Sequence, residues 1–288
     1  MMYDVIIIGK GPAGISASLY IARANQKCLI IGKDLGALAK AHTIQNYYGL
    51  EKPMEGKKLA EIGIEQAKNL GVEVISEEVV GIDWNTTFFV KTVKQEYQAK
   101  AVILATGTER VTPPIAGLKE YEGKGVSYCA VCDAFFYRGK EVAVLGNGEY
   151  AMHEINELIP VVSRVTMVTD GKPCLVENRS ENVAVVEKEV RAITGEEKVK
   201  EIDFKDDTKL KVDGVFVAIG TASSSDLARK IGARVSGKNI VVDENMHTTV
   251  PGLFACGDCT GGLLQVAKAV EEGAKAGLEA ISYVRSKE

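Results

Sequence analysis

The chain has 288 residues, 35 Lys+Arg against 39 Asp+Glu, and a formal net charge of −4. That balance lacks the basic footprint a dedicated nucleic-acid binder needs to displace counterions. A 46% hydrophobic and 26% charged composition is that of an ordinary globular protein and argues against disorder. No apolar run is long enough to span a bilayer. The opening MMYDVIIIGK, with Asp4 and no basic leader, does not read as a secretory signal. Six cysteines in such a chain are expected as reduced thiols in the cytoplasm, with any functional pair redox-active or metal-binding.

Val5 to Ile8 is an apolar, β-branched run that leads into Gly9-Lys10-Gly11-Pro12-Ala13-Gly14. A helical pattern follows through Ile15, Leu19 and Ile21, and then a second strand, Cys28 to Ile31. Strand, GxGxxG, helix, strand is the dinucleotide-binding βαβ unit. Gly9 permits the tight turn, Gly11 lets backbone approach a pyrophosphate, and Gly14 lets helix and strand pack closely. The phosphates then meet free N–H groups at the helix N-terminus. Asn46-Tyr47-Tyr48-Gly49 lies in the next connection, and Ala101 to Leu104 with Ala105-Thr106-Gly107-Thr108 closes the unit after a β-rich segment, Phe88 to Tyr97.

The same plan recurs. Thr112-Pro113-Pro114 reads as a linker. Cys129-Ala130-Val131-Cys132-Asp133 follows, and then a strand, Glu141 to Leu145. Gly146-Asn147-Gly148-Glu149-Tyr150-Ala151 is a second glycine turn, with a helix to about Leu158 and a strand at Arg164 to Val168. Glu201 to Val212 and Val215 to Val217 lead to Ala218-Ile219-Gly220-Thr221. The first unit is longer, chiefly through Gly36 to Leu50, which suits a larger ligand than the second would hold. The tail resumes with Ile240 to Asp243, then Pro251-Gly252-Leu253-Phe254-Ala255-Cys256-Gly257-Asp258 and a helix from about Val266 to Val284. The expected fold is α/β, with two Rossmann-like three-layer ββα domains. Residues 1–113 and 243–288 form the first, which is discontinuous, and 114–242 the smaller inserted one that carries CxxC.

The ordered set of GxGxxG, Asn46-Tyr47-Tyr48-Gly49, Ala105-Thr106-Gly107, CxxCD before a second glycine turn, and Phe254 to Asp258 resembles the low-molecular-weight thioredoxin reductases over essentially the whole chain. The resemblance implies FAD as cofactor. Gly9, Gly11, Pro12, Ala13 and Gly14 would cradle its pyrophosphate, and Asn46, Ala105, Thr106 and Gly107 would line its site. Gly257 and Asp258 would hold the ribityl and pyrophosphate region, with Gln265 and Val266 nearby. Cys129 and Cys132 would be the disulfide that passes electrons to thioredoxin, and Asp133 its acid/base. The resemblance also implies a homodimer and a second domain that rotates between flavin and partner.

Chemistry supports the pair independently. Two intervening residues let both sulfurs bond at a helix start, whose N–H groups favour a thiolate. A neighbouring carboxyl can carry the proton. The alternative, half of a zinc site, would need Cys256-Gly257-Asp258-Cys259 as its other half, far outside ribbon spacing. No metal is expected. Cys256 and Cys259 read as small packing residues beside Asp258, with an auxiliary redox pair as the alternative.

Departures from the family bear on the electron donor. Members that use NADPH carry a His-Arg-Arg cluster after the second unit's second strand, and arginines grip the 2′-phosphate. This chain has Val168-Thr169-Asp170-Gly171-Lys172, with Leu175 where a later arginine would fall. Asp170 facing a phosphate at ~4 Å would cost about 4 kcal/mol before screening. Asp170 could instead bind a ribose 2′-OH and select NADH. Alternatively the pocket is vestigial, with Asn147, Glu149 and Tyr150 altering the turn. Gly36-Ala37-Leu38 and Gln265-Val266-Ala267 also depart from the family, the latter lacking a common arginine. In these features the chain is similar to the ferredoxin-dependent flavin thioredoxin reductases of anaerobic bacteria. A non-enzymatic flavin-binding redox sensor is a further alternative.

Overall fold

The computed structural model describes residues 2–107, 113–176 and 183–287; Thr108 and Thr112, named above, lie outside them. In chain order the elements begin with β1 (Met2–Ile8), α1 (Pro12–Arg23), β2 (Cys28–Ile31), α2 (Gly56–Asn69), β3 (Glu73–Ile75), β4 (Val79–Trp84), β5 (Phe88–Thr92) and β6 (Glu96–Leu104). Next come β7 (Val126–Ser127), α3 (Ala130–Asp133), β8 (Glu141–Leu145), α4 (Glu149–Leu158), β9 (Arg164–Val168), β10 (Ala184–Val186), β11 (Val190–Gly195), β12 (Val199–Phe204), β13 (Lys209–Lys211) and β14 (Gly214–Val217). The chain closes with α5 (Ser224–Lys230), β15 (Val235–Ser236), β16 (Asn239–Ile240), β17 (Leu253–Ala255) and α6 (Val266–Arg285).

Packing divides the chain into two units, residues 1–109 with 223–288, and residues 110–222. In the first, the strand order is β3-β2-β1-β6-β5-β4, with β17 also on β6. β1 runs parallel to β2 and β6, with Val5 opposite Cys28 and Ala101. Strand β6 serves two roles: its early residues pair antiparallel with β5 (Phe88 opposite Ala99), and its last pair parallel with β17 (Leu104 opposite Ala255). The apolar run of β1 is buried on both faces, as a central parallel strand requires. In the second unit, a parallel sheet β10-β9-β8-β14-β7 stands apart from the antiparallel β11-β12-β13. The two-domain α/β architecture is thus the one read from the repeat.

One expectation differs from the structure. The chain returns to the first unit at Ser223, not at residue 243. The reason lies in the contacts of α5: Ser223 caps it in a reciprocal capping box with Asp226, Ser224 bonds to Thr106, and Lys230 Nζ donates to Val80 O. Further on, Asn239–Ile240 pairs with β15 in a tight hairpin, and Asp243 accepts the backbone N–H groups of Asn245 and His247.

Helix α6 explains why the tail belongs to the first unit. A Cβ on Gly273 would lie 2.2 Å from Ala13 O, and one on Gly277 would lie 2.7 Å from Ala17 O. Ser16 Oγ donates to Val270 O at 2.6 Å. Two mid-helix glycines, normally unfavourable, therefore let α6 lie against α1 at backbone distance. Gly273→Ala is expected to destabilise the protein by about 2 kcal/mol despite alanine's better helix propensity, because the obstacle is backbone. A urea midpoint equal to that of the parent would show that α6 is free to shift.

Candidate active site

The first glycine turn is built by exclusion. Gly9 has a φ of 116°, and a Cβ there would lie 2.2 Å from Ala105 O. A Cβ on Gly14 would lie 2.1 Å from Gly9 O, and one on Gly257, at φ 82°, 2.8 Å from Ala13 Cβ. Gly9, Ala13, Gly14, Ala105 and Gly257 are thus packed together at the start of α1. Gly11, the N-cap, is different: a Cβ there would meet nothing within 4 Å. Pro12 takes the first helical position, where its missing N–H costs nothing. The result is a helix N-terminus with tight walls and an open mouth, which fits the pyrophosphate of an adenine dinucleotide.

Other expected residues converge on this first unit. Asn46 Nδ2 donates to Gln265 Oε1 at 3.0 Å, and Gln265 is the N-cap residue of α6, which Val266 begins. Thr106 is engaged with Ser224, whose N–H donates to Thr106 Oγ1 at 3.0 Å. Gly107 follows at a left-handed φ of 76°. Asp258 lies in a short 3₁₀ turn, Gly257–Thr260, and burial raises its carboxyl above the usual range.

Two residues absent from the sequence reading lock that turn. Glu272 Oε2 accepts Gly257 N–H at 2.8 Å, Thr260 Oγ1 at 2.9 Å and Lys268 Nζ at 3.0 Å. Lys268 Nζ also donates to Gly257 O and Gly261 O. Their i, i+4 spacing was the available signal, but it reads as an ordinary surface ion pair. Cys256 and Cys259 are buried free thiols here, and burial pushes Cys259 up to about 12 and Cys256 well above its usual value. Such thiols are poor nucleophiles.

In the second unit, Cys129 and Cys132 are joined as a disulfide, with Cα atoms 5.3 Å apart. Cys129 is the N-cap residue of α3, and its Sγ accepts Cys132 N–H at 3.2 Å. Cys129 is buried and Cys132 exposed. Ser127, at the end of β7, donates its Oγ to Asp133 Oδ2 at 2.6 Å and accepts Cys129 N–H at 3.1 Å. Ala130 N–H donates to Glu154 Oε2 on α4 at 2.8 Å. Neither Ser127 nor Glu154 figured in the sequence reading: a serine in a strand and a glutamate in a helix carry no signal until α3 is placed beside them. Phe135 and Phe136, just beyond the pair, are 70% and 67% exposed. Among the described residues no cluster of three His, Cys, Asp or Glu is placed to hold a metal.

The second glycine turn keeps its shape. A Cβ on Gly146 would strike Ala218 O, and one on Gly148 would meet nothing. Its surroundings have changed, however. Asn147 Nδ2 donates to Pro173 O at 3.0 Å, and Asn147 O accepts Leu175 N–H at 2.8 Å. Asp170, at a left-handed φ of 53°, uses Oδ1 to accept Val190 N–H at 2.8 Å.

A disulfide at a helix start and paired dinucleotide folds, one with an open cradle, define a disulfide oxidoreductase. Comparison agrees: residues 3–273 match the family described as pyridine nucleotide-disulphide oxidoreductase. The chain is 36% identical to a thioredoxin reductase of Aquifex aeolicus, over 99% of this chain and 94% of that one, and 35% identical to one of Bacillus subtilis, over 98% and 95%. Among solved structures it is similar to the atypical thioredoxin reductase TRi of Desulfovibrio vulgaris Hildenborough (38% identity, TM-score 0.93, 99% of both chains). It is also similar to a ferredoxin-flavin thioredoxin reductase of Clostridium acetobutylicum (34%, TM-score 0.72, 99% of both chains). The chain belongs to the pyridine nucleotide-disulphide oxidoreductase family, among its thioredoxin reductases.

Glu272→Gln is expected to cost about 2 kcal/mol, since it leaves the largely buried Lys268 without its countercharge. Chemical denaturation should show the loss, and Lys268→Met, which removes the opposite charge, should show a similar one.

Proposed function

We propose that this protein is a cytoplasmic, homodimeric flavoprotein that takes electrons from reduced ferredoxin and delivers them, through FAD and the Cys129–Cys132 disulfide, to thioredoxin. The cofactor is FAD, which accepts single electrons and delivers a pair. Gly9, Gly11, Pro12, Ala13 and Gly14 would bind its pyrophosphate, and Gly257 and Asp258 its ribityl side, with Asn46, Ala105, Thr106, Gly107, Gln265 and Val266 around it.

The chain's own groups account for the disulfide chemistry. Two electrons and two protons convert the Cys129–Cys132 disulfide into two thiols, and Cys132 N–H is placed to hold Cys129 Sγ when it ionises. Asp133, oriented by Ser127, is the proton carrier for the pair. One of the two thiolates then attacks the substrate's disulfide, the other resolves the mixed disulfide and restores the Cys129–Cys132 bond, and the substrate leaves as a dithiol. The exposed Phe135 and Phe136 give a protein substrate an apolar surface beside the pair.

The observation that carries the choice of donor is the second glycine turn. Asp170, the residue expected to bind a ribose hydroxyl, is committed to Val190 N–H, and Asn147 is tied to residues 173–175. With no arginine cluster after β9, this unit has lost the features that recognise a phosphorylated nicotinamide nucleotide. The likeness to a ferredoxin-flavin enzyme supports the same reading. Energetically, a ferredoxin near −400 mV lies about 130 mV below thioredoxin, roughly 6 kcal/mol downhill for two electrons. A second reading, NADH as donor, is favoured by one observation, the open approach at Gly148.

Anaerobic titration in parallel with reduced ferredoxin, NADH and NADPH decides between them. Reduced ferredoxin is expected to bleach the flavin rapidly and NADPH to leave it oxidised; rapid bleaching by NADH alone would establish the second reading. Cys132→Ser is expected to retain flavin and lose all thioredoxin turnover. Retained turnover would remove Cys132 from the pathway.

A further inference from the structure

Ser127 is 5% exposed and ends β7, two residues before the disulfide. Its hydroxyl oxygen meets three polar atoms. It accepts Cys129 N–H at 3.1 Å, lies 2.6 Å from Asp133 Oδ2, and has Cys129 O 3.4 Å away. A hydroxyl has one proton to donate and two lone pairs. The two oxygens therefore compete for a single proton. Cys129 N–H holds one lone pair, and the second is left for another donor. Among the described residues, Ser127 is the one side-chain hydrogen-bond partner of Asp133. These contacts suit both protonation states of the carboxyl. As a carboxylate, Asp133 takes the hydroxyl proton on Oδ2 in a charge-assisted bond. As an acid, its O–H donates to the second lone pair, and the serine proton turns to Cys129 O. No heavy atom has to move. A pure donor such as a backbone N–H would favour the carboxylate alone.

We propose that Ser127 is a positioning residue that holds Asp133 through a full cycle of proton loss and gain, its own proton alternating between Asp133 Oδ2 and Cys129 O. The inference rests on the reading of Asp133 as the proton carrier of the pair. In the exchange, the dithiol gives two electrons to the substrate's disulfide; the enzyme's S–S bond forms and the substrate's S–S bond breaks. One proton goes to solvent when the attacking thiol ionises, and the substrate regains one from solvent. The other leaves the second thiol of the pair and passes through Asp133 to a sulfur released from the substrate. Asp133 thus visits both states in every turnover. Ser127 Oγ, itself fixed by Cys129 N–H, keeps the carboxyl one hydroxyl away from the Cys129 backbone in each. The other ionisable groups around Asp133 are Tyr137 in the turn that follows, with Asp213 beside that ring, and His153 and Glu154 of α4, which packs on α3.

A double-mutant cycle tests this and leaves those other groups unchanged. The flavin-loaded full-length protein is reduced anaerobically with dithiothreitol, freed of reductant and mixed with oxidised thioredoxin in a single turnover. Rapid alkylation and mass spectrometry then follow oxidation of the peptide bearing Cys129 and Cys132, from acid to mildly alkaline pH. Ser127→Ala is expected to slow the exchange about tenfold. It should also move the acid limb of the pH profile upward, because the carboxylate has lost its donor. Asp133→Asn is expected to slow the exchange further and to abolish that limb. Adding Ser127→Ala to Asp133→Asn is then expected to cost less than about twofold more, since the serine acts through the acid. A full tenfold cost in the Asp133→Asn background would overturn the inference, because the hydroxyl would then act through the Cys129 backbone alone. An unmoved pH profile in Ser127→Ala would do the same. Ser127→Thr keeps the hydroxyl and is expected to restore the parent's profile; should Ser127→Ala fail to fold, it decides alone, and a displaced acid limb there counts against the role. An Asp133→Asn protein that exchanges as fast as the parent would instead remove Asp133 from the pathway, and this inference with it.

Discussion

The first unit depends on the close approach of glycine backbone around the start of α1. Gly14 must lie on Gly9, Gly9 on Ala105, Gly257 on Ala13, and Gly273 on Ala13 O. Each contact leaves no room for a Cβ, and each joins a different part of the chain to one helix turn. The N-terminal strand, the end of β6, the turn before α6 and α6 itself are thereby fixed to the same few atoms. The wall of the cradle is then the same structure that closes the domain. This is why a segment from the far end of the chain lies against a turn built from residues 9–14.

The lock on the Gly257–Thr260 turn extends that logic electrostatically. A left-handed glycine at 257 exposes its N–H and C=O in unusual directions, and both must be satisfied once buried. Glu272 takes the N–H and Lys268 the carbonyl, from one face of α6. The helix that packs on α1 through its glycines thus also shapes the turn that carries Asp258.

How far the sequence disclosed this follows from where each signal resides. The repeated βαβ units were legible because apolar runs and glycine spacings are local, and β1, α1, β2, β8, α4 and β9 fall where those patterns place them. The disulfide was legible as CxxC. The return point was not, since Ser223 joins the first unit through its capping box and the Ser224–Thr106 bonds, which are tertiary facts about common residues. Glu154, Ser127, Lys268 and Glu272 escaped for a shared reason: single polar residues on amphipathic elements look alike until a neighbour's backbone gives them a partner.

The second unit carries the synthesis one step further. In a working dinucleotide site, the glycine turn leaves the start of its helix free for phosphate, and an acid after the next strand meets the ribose. Here the turn survives in outline because Gly146 still has to pass Ala218. Yet Asn147 and Asp170 are spent on holding residues 173–175 and Val190. The same helix, α4, turns its buried face to α3 and contributes Glu154 to the first N–H after Cys129. One helix thus sets its N-terminus beside the glycine turn and a carboxyl group from its middle beside α3. The sheet and helix of this dinucleotide fold are held by the core, while Asn147, Asp170 and Glu154 are bonded to the neighbouring backbone at Pro173, Val190 and Ala130.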